Sequence, residues 1–186
     1  NEFRYFDVIK QQYVKKPEVG PRQKSQAEIL EDETPYIDTV DPLDYHKCSY
    51  KPLQVLTEDY LAFAEDLYKW GVRDLKGKVF IPAQFGRINY GGCDTHFLVE
   101  KEEEYGVIDI DGNWIIPFGK FEWLWFRGNC FLARQNGKAG IVDLVGNVLI
   151  PFEYEYLHPS YDEGLDLISA KKDGEFFFIN AKQEKI

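Results

Sequence analysis

The chain contains no methionine and only three cysteines, Cys48, Cys93 and Cys130. Spacings of 45 and 37 residues match no zinc pattern, which needs close ligand pairs. An odd cysteine count argues against a dense disulfide scaffold. Three free thiols are expected, with a Cys93–Cys130 bridge between adjacent units as the alternative. With Asn1 first and no methionine, a natural start is missing, so the expectation is a trimmed chain or one whose signal peptide was removed, either cytoplasmic or exported. No apolar run approaches the roughly 20 residues of a membrane-spanning helix. Basic side chains are the minority, 22 against 32 acidic ones, for a formal charge of −10. That balance argues against nucleic-acid binding, which draws on a basic face. Gly-rich phosphate loops, His-Glu-x-x-His and Gly-x-Ser-x-Gly are all absent. The expectation is therefore a protein that is not an enzyme and takes no cofactor or metal.

What is present is enough to build a core. The 186 residues are 44% apolar, with 14 Phe, 12 Tyr and 4 Trp, and the length fits one domain or one domain with a small appendage. Charge is uneven. Residues 1–24 hold six basic and three acidic side chains, residues 25–68 two and eleven, and residues 69–186 fourteen and eighteen. The acidic surplus thus sits in a front segment.

Self-comparison reveals three aligned stretches, Lys69-Trp70-Gly71-Val72-Arg73-Asp74 through Ile81-Pro82, Glu104-Tyr105-Gly106-Val107-Ile108-Asp109 through Ile116-Pro117, and Lys138-Ala139-Gly140-Ile141-Val142-Asp143 through Ile150-Pro151. A degraded fourth runs from Glu175-Phe176-Phe177 through Asn180 to Ile186. The period is 34–37 residues, in the range of repeat architectures. After each proline come an aromatic and a branched residue, Phe85 and Ile88, Phe121 and Leu124, Tyr154 and Leu157. A variable loop comes next, then a strand-like stretch, Phe97-Leu98-Val99, Phe131-Leu132-Ala133 or Ile168-Ser169-Ala170. Branched and aromatic residues flanking Lys76-Gly77, Asp111-Gly112 and Val145-Gly146 predict hairpin turns, and Asn136-Gly137 and Asp173-Gly174 predict a second turn per unit. The proline, which removes a ladder donor, is expected to end its strand. Gly71, Gly106 and Gly140 fall inside strand patterns and predict a bulge or a close aromatic contact. One unit cannot bury both its faces, so neighbours must stack. The fourth, lacking the glycines and the proline, reads as a terminal cap.

The motif Lys69-Trp70-Gly71-Val72-x-Asp74-x-x-Gly77-Lys78-x-x-Ile81-Pro82 resembles the WG repeat of bacterial proteins, over about residues 60–186. Tyr105 and Ala139 stand in place of the tryptophan in the second and third copies. The resemblance implies a β-hairpin repeat fold and little about activity. The fold expected is mainly β, a tandem array of about 3.5 repeats over residues 60–186, preceded by an acidic, irregular or partly helical segment over residues 1–59. In that segment Ser25-Gln26-Ala27-Glu28 predicts a capping box opening a short helix. Pro17, Gly20 and Pro21 predict a turn, and Pro35, Pro42 and Pro52 break the chain beyond the helix into short stretches. Glu31-Asp32-Glu33 reads as solvated surface. Residues 57–70 fit a helix by spacing, but their alignment with Phe97-Leu98-Val99 favours a strand.

Four features could carry chemistry. Asp74, Asp109 and Asp143, with Asn180 in the fourth register, form either a cation-binding carboxylate ladder or a set of acceptors for backbone N–H groups in the adjacent turns; the second reading is favoured. Cys93-Asp94-Thr95-His96 and His46-Lys47-Cys48 place a thiol near an imidazole, yet no nucleophile signature surrounds either, and ordinary loop residues are expected. In Phe121-Glu122-Trp123-Leu124-Trp125-Phe126, a single strand puts Phe121, Trp123 and Trp125 on one face. Leu124 aligns with Ile88 and Leu157, so the core lies on its side and the aromatic face points elsewhere, against a neighbouring unit or towards a ligand. Phe121, Trp123 and Trp125, with the loops after Ile88, Phe126 and Leu157, are the candidate binding surface. The partner expected is a protein, with a carbohydrate as the alternative. Two other roles stay open: an immunity-type inhibitor whose −10 charge complements a basic toxin, and a carbohydrate-binding or hydrolytic protein built on the Trp123/Trp125 cluster.

Overall fold

Alternating apolar and polar residues, broken every few positions by a turn, leave the chain one economical way to satisfy its backbone, an antiparallel meander. The computed structural model describes residues 4–7, 12–15, 22–40, 47–160 and 164–186. The turn expected at Pro17, Gly20 and Pro21, the break at Pro42 and the pairing of His46 with Cys48 lie outside the described residues.

Ahead of the repeats, β1 (Arg4–Asp7) pairs with β2 (Gln12–Lys15), and β3 (Ile37–Val40) with β4 (Lys47–Tyr50). Between them lies α1 (Gln26–Glu33). The predicted capping box is in place: the Glu28 N–H donates to Ser25 Oγ, and the Ser25 N–H donates to the Glu28 carboxylate. Four sheets complete the chain. The first holds β5 (Leu53–Val55), β6 (Tyr60–Asp66), β7 (Lys69–Asp74) and β8 (Val79–Phe85). The second holds β9 (Arg87–Tyr90), β10 (His96–Lys101), β11 (Glu104–Asp109) and β12 (Trp114–Phe121). The third holds β13 (Trp123–Arg127), β14 (Cys130–Gln135), β15 (Lys138–Val142) and β16 (Val148–Tyr154). The fourth holds β17 (Tyr156–Ser160), β18 (Gly164–Lys172) and β19 (Glu175–Ile179). Each is an antiparallel meander in sequence order, as in the blades of a propeller.

The repeat array is mainly β as expected, its hairpins joined into antiparallel meanders of three or four strands. Residues 60–66 are a strand. The first sheet also takes in Leu53–Val55, ahead of residue 60, because Leu53 pairs with Phe63 and Val55 with Leu61. Asn136-Gly137 and Asp173-Gly174 have positive φ at both positions, 51° with 71° and 53° with 81°, the geometry of a two-residue hairpin turn. Gly71, Gly106 and Gly140 sit at register shifts where the neighbouring strand passes very close, so bulge and close contact occur together.

Side chains from successive sheets interdigitate into three buried clusters. Val72, Ile81 and Phe85 meet Ile88, Phe97 and Val99 between the first and second sheets. Val107, Ile116 and Phe121 meet Leu124, Phe131 and Val142 between the second and third. Leu132, Ile141 and Ile150 meet Leu157, Ile168 and Ile179 between the third and fourth. A fourth, smaller cluster lies against the first sheet. There Ala27 and Leu30 of α1 cover Leu53, Leu61 and Phe63, and the Val55 N–H donates to Glu31 Oε2. Part of the acidic run therefore has a structural task.

Candidate functional site

The aspartates resolve first. Asp74 Oδ1 accepts N–H groups from Lys76 and Lys78, Asp109 Oδ1 from Asp111 and Asn113, and Asp143 Oδ1 from Val145 and Asn147. Asn180 Oδ1 does the same for Lys182 and Glu184. Each side chain closes its own hairpin, as the turn reading expects. The Asn113 side chain, assisted by backbone N–H donors, holds the Asp109 carboxyl below the usual carboxylate range. Among the described residues no three His, Cys, Asp or Glu side chains converge as a metal site would require.

The cysteines are unpaired. Cys93 Sγ lies 3.7 Å from Thr95 Oγ1. Cys130 is buried and its S–H donates to the Arg127 carbonyl. Burial pushes that thiol up to about 11, so it is protonated at neutral pH and weakly nucleophilic.

The aromatic hexamer is not one strand. The chain leaves β12 at Phe121 and enters β13 at Trp123, crossing between sheets at Glu122. Phe121, Trp123 and Trp125 therefore do not share a face. Phe121 is 2% exposed and stacks on Phe152 at 5.5 Å inside the cluster between the second and third sheets. Leu124 is buried as expected. Trp123 is half-buried against the cluster between the third and fourth sheets. Trp125 is 53% exposed.

A groove of about 540 Å³ opens beside the two tryptophans, between the edge strands β13 and β17. Their rings meet at 5.6 Å in an edge-on arrangement. Across the groove stand Tyr156 and His158, with Leu157 between them turned into the core. Arg127 closes one end: its guanidinium lies 5.8 Å from the Trp125 ring centre and its Nη2 contacts His158 Nε2. Arg134, opposite Trp123 in the ladder, also lines the groove. The two acids of the groove are engaged. Glu122 accepts the Gly137 N–H at 3.1 Å. Glu155 accepts the Gly174 N–H at 2.9 Å and pairs with Lys171 at 3.2 Å. These contacts, the Gly174 bond foremost, hold the Glu155 carboxyl below its ordinary range.

Arg127, Tyr156 and His158 were not anticipated from the sequence. The signal for two of them was available, since the alignment of Leu124 with Leu157 makes Tyr156 and His158 the counterparts of Trp123 and Trp125. Of the loops expected to form the contact surface, the one after Phe126 borders the groove through Arg127. Residues 161–163, after Leu157, lie outside the described residues.

Residues 105–138 and 140–176 match the sequence model of the family described as a WG containing repeat, and these two consecutive units are WG repeats. A comparison of the sequence with curated proteins found no match. In structure the chain is similar to KlHsv2 with loop 6CD replaced by a Gly-Ser linker, with a TM-score of 0.51 and 13% identity over 81% of this chain and 57% of that one. A second structure, of Kluyveromyces lactis Hsv2p, gives a TM-score of 0.49 and 14% identity over 82% and 57% of the two chains. HIRA(644-1017) gives 0.40 and 12% over 72% and 53%. The chain thus spans little more than half of each of these structures, and at 13% identity the likeness to the first is one of fold alone.

Proposed function

We propose that the chain is a non-enzymatic, repeat-based binding module whose partner is a protein, held at the groove between the third and fourth sheets. The observation that carries this reading is the half-exposed Trp125 beside Arg127 at the mouth of a groove floored by core residues. Trp, Tyr and Arg are the side chains on which protein interfaces concentrate their affinity, because each combines a large apolar area with a polar end. Here all three types converge on edge strands held by the sheets behind them. The non-enzymatic reading is supported by the employment of the repeated aspartates in turns and by the protonated state of Cys130.

Affinity capture with this chain as bait tests the proposal, comparing wild type, Trp125→Ala and a control at the exposed Val145. A captured protein lost with Trp125→Ala and kept with Val145→Ala is expected. Capture unaffected by Trp125→Ala would remove the groove from the contact surface. The charge of −10 favours a second reading, an inhibitor of a basic toxin. That reading requires capture that disappears as salt rises.

A further inference from the structure

The ladders of the four sheets set equivalent residues in rows. Trp70 lies opposite Ala64 in the first sheet, and Tyr105 opposite Glu100 in the second. In the third Ala139 lies opposite Arg134, and in the fourth Phe176 lies opposite Lys171. Three units thus carry an aromatic ring where the third carries a methyl group. In the first two that ring packs on the buried cluster between its own sheet and the next, Trp70 on the cluster with Phe97 and Tyr105 on the cluster with Leu124. Ala139 touches the corresponding cluster with Leu157 and lines the open groove. Trp123 stands in the same row beyond Arg134, its ring 5.6 Å from that of Trp125 on its own strand. The groove therefore keeps a slot at Ala139 of the size of the ring that the other units place there. Both walls of the slot, β13–β15 on one side and β17 on the other, are strands of this chain. Charge around it is also unlike that in the neighbouring sheets. Glu100, the counterpart of Arg134, pairs with Arg87, and Lys171 pairs with Glu155. Arg134 is exposed and joins none of the salt bridges among the described residues.

We propose that the slot at Ala139 receives an aromatic side chain of the partner and that Arg134 takes a carboxylate beside it, so that the groove recognises an extended aromatic and acidic segment of a protein. The inference rests on the groove reading above and names the chemistry of its partner. Two observations select that occupant. The first is the repeat itself, which fills this position with its own ring in the other units and leaves it empty in the third, beside apolar core residues and two tryptophans. An aromatic ring entering there gains apolar burial and ring-edge contacts with Trp123. The second is charge. The acids of the groove, Glu122 and Glu155, already accept backbone N–H groups, and Glu155 holds Lys171, whereas the Arg134 guanidinium offers a fork that fits a carboxylate bidentately. Opposite residues on neighbouring strands have Cβ atoms about 5 Å apart and an extended chain rises about 3.3 Å per residue, so the acid lies within about two residues of the ring. This preference is the reverse of the one that an inhibitor of a basic toxin would show.

Selection of random linear peptides displayed on phage against the purified chain tests this, followed by affinity measurements on the enriched peptides. Enriched sequences are expected to share a Phe, Tyr or Trp with an Asp or Glu close by. Ala139→Trp restores the residue that the first unit carries, and it should keep the wild-type circular dichroism while weakening those peptides by about tenfold or more. Arg134→Glu changes an exposed side chain and does not depend on how the slot tolerates a ring; selection against it should return peptides with Lys or Arg beside the aromatic residue. Enriched peptides without an aromatic residue, an acid preference unchanged in Arg134→Glu, full affinity for a folded Ala139→Trp protein, or no enrichment at all would each overturn the proposal. The lysate capture with Trp125→Ala is read separately, so the slot can fail while the groove stands.

Discussion

Replacing Gly71 with alanine separates a tight repeat packing from a merely permissive one. A Cβ at position 71 would lie 2.4 Å from the Ile81 carbonyl oxygen, 2.7 Å from the Ala83 nitrogen and 2.8 Å from the Phe63 ring. Ordinary contact begins at 3.4 Å, so β8 must retreat by about 1 Å or the ladder between β7 and β8 must open. Two of the three obstacles are backbone, which cannot rotate aside. Overpacking of this kind costs roughly 3 kcal/mol or more. At Gly106 the nearest atom belongs to the Trp114 ring, at 2.8 Å. That ring is 44% exposed and can swing outward, while the backbone neighbours, the Ile116 oxygen and Phe118 Cα, stand at 3.1 Å and need yield only a few tenths of an ångström, which lowers the expected cost to about 1–2 kcal/mol. At Gly137 a Cβ meets nothing within 4 Å, and the cost is the positive φ of 71° alone, about 1 kcal/mol. Urea unfolding monitored by circular dichroism and tryptophan emission gives the order Gly71→Ala, then Gly106→Ala, then Gly137→Ala, most damaging first. At about 2–4 °C per kcal/mol for a chain of this size, Gly71→Ala should lose roughly 6–12 °C in Tm. A Gly71→Ala protein within about 0.5 kcal/mol of wild type would refute the close-approach argument.

The turns and the thiols give two further expected outcomes. Asp109→Ala should cost about 1 kcal/mol by removing the two bonds that close the exposed turn, and Asp109→Asn less, because Asn180 already performs the same task in the fourth unit. Since the Asp109 carboxyl is held low in the folded state, its charge stabilises the fold above the unfolded aspartate range and that contribution is lost as pH falls through the lowered value. The gap between wild type and Asp109→Asn should therefore narrow on acidification below about pH 4; a gap that widens would contradict it. A thiol reagent at neutral pH should label the half-buried Cys48 and Cys93 and spare Cys130 until the protein unfolds. Fast labelling of Cys130 in the native protein would mean that the third and fourth sheets part readily.

Much of the local architecture was legible because its causes are local. Asn-Gly and Asp-Gly dictate two-residue turns through positive φ, Ser25 and Glu28 cap a helix by reaching three residues, and an aspartate before a turn accepts the N–H groups just beyond it. The strand at residues 60–66 was legible for a different reason. The repeat alignment outweighed a helical spacing that any short apolar run can mimic. The candidate site was legible in part. Trp125 is where an aromatic contact residue would stand, whereas Phe121 lies in the core because the strand containing it ends one residue before β13 begins.

The sequence by itself determined the period, the turns, the bulge glycines and the sharing of one pattern by four units, since these depend on backbone conformation and on the identity of neighbours a few residues away. Only the tertiary structure decided where one sheet stops and the next starts. Register and the crossings at Gly86, Glu122 and Glu155 are settled by pairing with strands distant in sequence. That partition sends Phe121 into one interface and Trp125 into the groove of another. It also sets Ala27 and Leu30 of α1 against the first sheet, because burial depends on what lies opposite a face and not on the residues that compose it.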